Sequence, residues 1–533
     1  MSGPAPSPTP SHLLPKTFRD RVLSMIGLCF VLIMVALDQT VVGTALPTVV
    51  AELKGFSLYA WVGTSYLLAS VITVPIFGRL GDEHGRKPFI LGAIFIFTLA
   101  SALCGFAQSM LQLVLARALQ GVGGGMLVAT AFASVPDLFP DTRERLRWQV
   151  MFSSAFGLAN AIGPSLGGFL TEYWGWRWVF FVNLPVGVLS TFFVWRYLPR
   201  IRHAEHPPGR LDWQGAALIA VALGSLQLLV EWLPTGKSAW VLGLLGAVAV
   251  GAAVTLIWWE RRCANPILPL DMFRHASLSP LFQLSLIMGF CMFAVLYYAP
   301  LMFQGGFGLS PKAAGLLVTP LVVCITVGSI ANGRIVTRLR TPNRMLYVGF
   351  ACFMLAAIGL ALTTLQTSHA RIVVTMMMGG LGLGFLMPNL TIFAQETAPR
   401  TRLGIATAML QSTRMIGGML GTAFIGTYVS HAYGTGVDAT LQAGGLAQWA
   451  HWLDDPQILV NPDRAAQLHE AATRMGFDSL ALLDQARLAL VHAIHGGQWI
   501  VVGVMFLAFV LVRRVPPLQL RSRRPPPVEE GAA

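Results

Sequence analysis

The sequence predicts an all-α, polytopic membrane protein of fourteen transmembrane helices, two six-helix halves with two further helices inserted between them. Three observations carry that expectation. Apolar residues make up 55% of the 533-residue chain and charged residues 11%, with a mean hydropathy of +0.64, which excludes a soluble globular class. Fourteen apolar runs approach the roughly 20 residues that span a hydrocarbon core of about 30 Å. Lysine and arginine gather in every second connecting loop, as a chain that reverses at each crossing requires.

Taken in order, the chain opens on a Pro- and Ser-rich stretch, and residues 1–20 are expected to be a disordered cytoplasmic terminus. It has neither the basic n-region nor the small-residue cleavage site of a signal peptide, so the first helix is expected to be retained. Helices are expected near 21–45, 58–78, 89–108, 111–135, 148–172 and 177–196, making an N-terminal half over 21–200. Two inserted helices follow near 212–232 and 239–259, within 201–265. The C-terminal half, 266–514, holds helices near 279–303, 313–337, 345–365, 370–394, 404–430 and 490–512. Between its last two helices, residues 433–488 read as an extracytoplasmic loop with one or two amphipathic helices. That loop is either a solvated cap or a docking surface for an accessory adaptor protein. Residues 515–533 read as a loose cytoplasmic tail.

The net charge of +13 would suggest nucleic acid as a partner in a soluble chain, but here its position matters more than its sum. Arg79, Arg86 and Lys87; Arg143, Arg145 and Arg147; Arg200, Arg202 and Arg210; Arg261, Arg262 and Arg274; Arg338, Arg340 and Arg344; and Arg400 and Arg402 all fall on one side. The opposite side carries isolated charges such as Lys54 and Lys237. Both termini are therefore expected in the cytoplasm, with the protein in the cytoplasmic (inner) membrane and no nucleic-acid partner. The six cysteines form no disulfide framework or zinc pattern, and no metal or cofactor is expected.

One weak internal repeat supports the two halves. GRLGDEHGRKPFILG from Gly78 and GRIVTRLRTPNRMLYVG from Gly333 each leave a helix through a short basic turn into the next. The second copy has Thr337 where the first has Asp82.

Asp38 lies inside the first apolar run, where insertion of an aspartate costs roughly 2.5–3.5 kcal/mol unless protein or water receives it. It is expected to face inward. Arg117 lies six residues into the fourth helix, about 9 Å below its edge, and Asp38 seven residues from the same edge, about 10 Å deep. The two are level and of opposite charge, so they can pair, either as a static structural contact or as a group that takes up and releases a proton. Gln120, three residues from Arg117, shares its face. Arg414 is a further intramembrane charge, with a backbone carbonyl or a substrate as its expected partner. Gly121, Gly123, Gly124 and Gly125 on the fourth helix, and Gly163, Gly167 and Gly168 on the fifth, permit close helix approach, and Pro164 adds a bend.

The order and spacing of LDQTVVGTALP, GRLGDEHGRK, RALQGVGGG, GPSLGG, WGWRWVFFVNLPVG and NPILPLDMFR resemble the major facilitator superfamily, and within it the 14-helix drug:proton antiporter branch. The resemblance implies that Asp38 and Arg117 couple proton movement to transport. It implies that Gly163, Pro164, Gly167 and Gly168 form an antiporter hinge, and that Gly78, Asp82, Gly85 and Arg86 form a cytoplasmic latch. Ala159 and Glu83 depart from that pattern, which has glycine and often a basic residue there. Gln120, Asn160 and Arg414 are the candidate substrate-binding residues.

Three enzyme lookalikes fail on context. Gly163 to Gly167 fits G-x-S-x-G, but inside a spanning helix rather than a strand-to-helix elbow. Gly236-Lys237-Ser238 has Glu231 where a phosphate loop needs glycine, and His469-Glu470 is followed by Thr473 where a zincin needs histidine. The expected function is a proton-coupled antiporter exporting hydrophobic or amphiphilic compounds, with cationic ones foremost, in contact with membrane lipids. Export of one specific metabolite, lipid transport, and an intramembrane serine hydrolase using Ser165 are the alternatives.

Overall fold

The computed structural model describes residues 18–139, 142–200, 212–232, 238–263, 266–267, 270–336, 339, 341–398, 403–443, 446–454, 456–475 and 477–516. Every regular element among them is helical. The expected disordered termini lie largely outside these residues, as do Thr337 and the basic residues Arg202, Arg210, Arg338, Arg340, Arg400 and Arg402.

Fourteen long elements order the chain: α1 (Phe18–Leu53), α2 (Tyr59–His84), α3 (Arg86–Gly105), α4 (Met110–Leu138), α5 (Thr142–Tyr173), α6 (Arg177–Tyr197, broken after Phe181), α7 (Trp213–Trp232) and α8 (Ala239–Glu260). Then come α9 (Ser279–Leu301), α10 (Pro311–Val336), α11 (Arg344–Ala361), α12 (His369–Thr397), α13 (Leu403–Ala443) and α14 (Ser479–Val512). Among the described residues, twelve stretches are long and apolar enough to cross a membrane. The α5 and α13 helices are the two expected segments outside that twelve, and both pack within the bundle. This is a multi-pass membrane protein.

Packing repeats along the chain. α1 lies on α5 and α6, α2 on α4, and α3 on α4 and α6; eight helices later α9 lies on α13 and α14, α10 on α12, and α11 on α12 and α14. The largest seams joining the sets are α5 against α10 and α2 against α13; α1 also meets α9 between them, and α7 touches the second seam. α1 is central, with 72% of its apolar window buried, whereas α8, at 17%, lies at the periphery and turns its apolar surface outward.

Several boundaries differ from expectation: α2 runs on to His84, α5 begins at Thr142 and α14 at Ser479, and two further differences bear on the site. α1 does not end near residue 45 but continues to Leu53 through Pro47, because Val49, Val50 and Ala51 are buried against the bundle. Glu52 at its end is held by Trp176 Nε1–H at 2.8 Å and by Arg177. The 433–488 segment is also less of a loop than expected. α13 runs on to Ala443 despite Gly434 and Gly436, since Val437 and Leu441, one turn apart, are buried. Between α13 and α14 stand a short helix, Ala450–Leu453, and an amphipathic one, Pro462–Arg474. Tyr433 Oη–H donates to the Leu453 carbonyl at 2.7 Å, and Asn461 Nδ2–H to the Ala51 carbonyl at the end of α1.

Candidate functional site

Asp38, on α1, is wholly enclosed, as is Arg117 on α4. Arg117 Nη1–H donates to Asp38 Oδ2 at 2.7 Å and to Gln120 Oε1 at 2.8 Å. Gln120 Nε2–H donates to Asp38 Oδ1 at 2.7 Å. Only one orientation of the Gln120 amide fits, because its oxygen must face the guanidinium and its NH2 the carboxylate. Arg117 and Gln120 reach one acid together because three residues on a helix return to the same face. Both carboxylate oxygens therefore act as acceptors, the role an ionised acid fills. The enclosure leaves no open route for a proton to either oxygen in this state.

A second layer holds the first. Gln120 Nε2–H also donates to Ser101 Oγ at 3.2 Å, Asn183 Nδ2–H to the same oxygen at 3.0 Å, and Ser101 Oγ–H to the Phe180 carbonyl at 2.9 Å. Arg117 Nε–H donates to the Val62 carbonyl on α2 at 3.2 Å, and the guanidinium lies over the Tyr66 ring, 4.5 Å from its centroid. Such stacking suits the planar guanidinium and leaves an ammonium less well held. Tyr297 of α9, from the second helix set, also borders Arg117, and a β-carbon at Gly63 would fall 2.7 Å from its ring. The missing side chain at Gly63 admits that phenol.

Around this site, one end of the bundle is joined across the two helix sets. Tyr59 Oη–H donates to the Tyr297 carbonyl at 2.9 Å, and Gln304 Nε2–H to the Thr44 carbonyl at 2.7 Å, with Thr48 Oγ1–H donating to Gln304 Oε1 at 3.3 Å. Gln304 sits in a π-turn, Met302–Gly306, just beyond Pro300. Lys312 N–H donates to Glu172 at 3.1 Å and Lys312 Nζ–H to Tyr173 Oη at 3.0 Å. These contacts gather where α1 and α5 end and α10 begins.

The glycines expected to form a hinge lie on α5, between α1 and this seam. A β-carbon at Gly163 would fall 1.8 Å from Thr40 Oγ1, one at Gly167 2.6 Å from the Val41 carbonyl, and one at Gly168 2.4 Å from the Pro311 carbonyl. Gly163 and Gly167 thus admit α1, and Gly168 admits α10; Pro164 is buried between them. Gly168→Val is expected to cost about 1–3 kcal/mol of overpacking and to part α5 from α10. Cross-linking between cysteines placed at Glu172 and Lys312 measures it, and an unchanged yield would contradict the expectation.

Other expected site residues fall elsewhere. Gly85, with φ of 87°, makes the turn between α2 and α3, and Arg86 begins α3. Gly78 is on α2, as is Asp82, whose side chain lies outside the described residues. Lys87 Nζ caps the end of α6, donating to the Trp195 and Leu198 carbonyls at 2.7 and 2.6 Å. Asn160, on α5, and Arg414, on α13, are half-buried and outside the Asp38 network. Ser165 Oγ meets Thr319 Oγ1 at 2.6 Å, a helix contact and not a nucleophile with its base. Among the described residues no cluster of three metal ligands occurs. Sequence reasoning missed Tyr66, Ser101, Asn183 and Tyr297; Asn183 carried a signal, being the polar residue in the middle of VFFVNLPVG.

The family model described as Major Facilitator Superfamily matches residues 28–422. The chain is 32% identical over 516 residues to Multidrug transporter protein MdtP of Bacillus subtilis, covering 92% of this chain and 93% of the relative. It is 32% identical over 468 residues to Multidrug resistance protein 3 of the same organism, covering 86% and 90%. Among solved structures it is similar in fold to a bacterial homologue of the human lysosomal transporter Spinster, inward-facing and unoccupied. The TM-score is 0.63 at 15% identity, over 94% of this chain and 98% of that one.

Proposed function

The chain belongs to the Major Facilitator Superfamily and is a transporter rather than an enzyme, and from that premise we propose that it exports hydrophobic or amphiphilic compounds in exchange for protons. The observation that carries this reading is Asp38, an acid enclosed in a spanning helix with a donor on each oxygen and a guanidinium beside it. In this reading Asp38 loads a proton when the cross-set contacts part, and releases it when Arg117 and Gln120 close on it. The fourteen long helices all span, α1–α6 and α9–α14 are two halves that rock about the Gly163–Gly168 region, and α7 and α8 are the insertion. Both termini lie in the cytoplasm, so the end joined through Tyr59, Gln304 and Lys312 is the outer one, closed in this state.

Substrate breadth is supported by the multidrug names of the Bacillus subtilis relatives. The driving force is adequate: each charge crossing 100 mV releases about 2.3 kcal/mol, so one or two protons sustain roughly a ten- to thousandfold gradient. The expected result in reconstituted vesicles is accumulation of a lipophilic dye under an imposed pH gradient, abolished by a protonophore. Accumulation that survives the protonophore would reject proton coupling. Transport of a single metabolite would appear as competition by its close analogues alone.

A further inference from the structure

Of the Asp, Glu, Lys and Arg residues in the fourteen expected spanning segments, three lie more than one turn from a segment end: Asp38, Arg117 and Arg414. Two guanidiniums against one carboxylate leave one positive charge over. Asp38 and Arg117 are enclosed and answer each other. Arg414 is answered differently. Its Nη2–H bonds Gln411 Oε1, one turn earlier on the same helix, and no carboxylate pairs with it among the described residues.

The place of Arg414 gives this surplus charge a use. Its backbone abuts Gly289, ten residues into α9, about 15 Å from the start of that helix and therefore near mid-depth. Tyr297 lies eight residues further along α9, so Arg414 is displaced about 12 Å along the axis from the Asp38 site. One turn beyond Arg414, a β-carbon at Gly418 would fall 2.4 Å from the Phe293 ring, and Phe293 stacks on Tyr297 with centroids 6.4 Å apart. The guanidinium is half-buried, so part of its fork stays accessible. An accessible guanidinium at that depth is tolerated facing an interior water-filled space and not acyl chains. Gln411 orients the fork without neutralising it.

We propose that Arg414 is a substrate-recognition residue and that it recognises an anionic acceptor, a carboxylate or its equivalent, on an otherwise apolar and aromatic body. The planar fork of N–H donors matches a carboxylate, and the neighbouring wall, with Phe293 buried in it, is apolar and aromatic. The proposal rests on the export reading above and revises the charge class expected from the sequence. In this state the one deep acid, Asp38, is enclosed with both oxygens engaged, so Arg414 is the deep charge left open to a substrate.

The test uses a xanthene dye with a free benzoate and its methyl ester, two probes of the same shape differing in the anionic group, with the full-length protein in vesicles. Wild type is expected to transport the acid with the lower KM. Arg414→Gln is expected to raise the KM for the acid about tenfold or more while leaving the ester within about twofold, and Arg414→Lys to restore part of the difference. A wild type that prefers the ester, or Arg414 variants that lose both probes equally, would overturn the proposal and leave the export reading standing. Wild type that neither binds nor moves either probe would overturn both. Melting of each variant in detergent separates loss of recognition from loss of fold.

Discussion

Asp38→Asn is expected to collapse the concentration ratio that the protein sustains under a pH gradient from roughly ten- to thousandfold toward unity, while equilibrium substrate binding persists. Asparagine keeps the shape of aspartate but cannot gain and lose a proton. It also disturbs the network in a defined way. Its oxygen can still accept from Arg117, but its NH2 then faces Gln120 Nε2, donor against donor, where Asp38 Oδ1 accepted at 2.7 Å. If the Gln120 amide turns over to relieve that clash, its NH2 faces Arg117 Nη1 instead. The network therefore cannot be kept whole by a neutral isostere. The check is paired: dye accumulation in vesicles, and dye binding to purified protein. Loss of both would make Asp38 a folding residue, and loss of neither would remove it from the coupling.

Removing the other partner is expected to be felt as stability. Arg117→Gln leaves an enclosed carboxylate without its cation, a change that costs about 3–5 kcal/mol in buried pairs, against a total stability of about 5–15 kcal/mol. The double variant Asp38→Asn with Arg117→Gln removes the unpaired charge and is expected to recover most of that loss, because replacing both members of a buried pair is often close to neutral. Thermal unfolding in detergent of wild type, both single variants and the double variant measures the coupling. Simple additivity would mean that the 2.7 Å contact carries no interaction energy. Arg117→Lys keeps the charge but not the fork or the stacking on Tyr66, and is expected to fall between them.

The sequence reveals the heart of this site because it depends on short-range periodicity. Helical rise puts Asp38 and Arg117 at one level, and a three-residue spacing puts Gln120 beside Arg117, so the network's first layer could be read before any coordinates. Tyr297 could not be read that way. It reaches Arg117 from a helix some 180 residues later, through a gap left by Gly63, and that juxtaposition depends on how the two helix sets pack. Helix ends were harder than helix centres for a related reason. At Pro47 and at Gly434 and Gly436 the local signal says stop, yet buried side chains beyond each carry the helix on to Leu53 and Ala443. Burial is equally invisible to composition, which counts Asp38 as an acid and Arg414 as a base but cannot tell that the first is enclosed and the second half-buried.

Proton release on substrate binding reports on Asp38 most directly. Purified protein in weakly buffered detergent is titrated with a transported compound while pH is followed by an indicator dye. If substrate binding and the proton on Asp38 oppose each other through the change of state, linkage requires that binding expel protons from wild type and none from Asp38→Asn. Equal release from the two proteins, or none from a wild type that binds its substrate, would contradict the assignment of the coupled proton to Asp38.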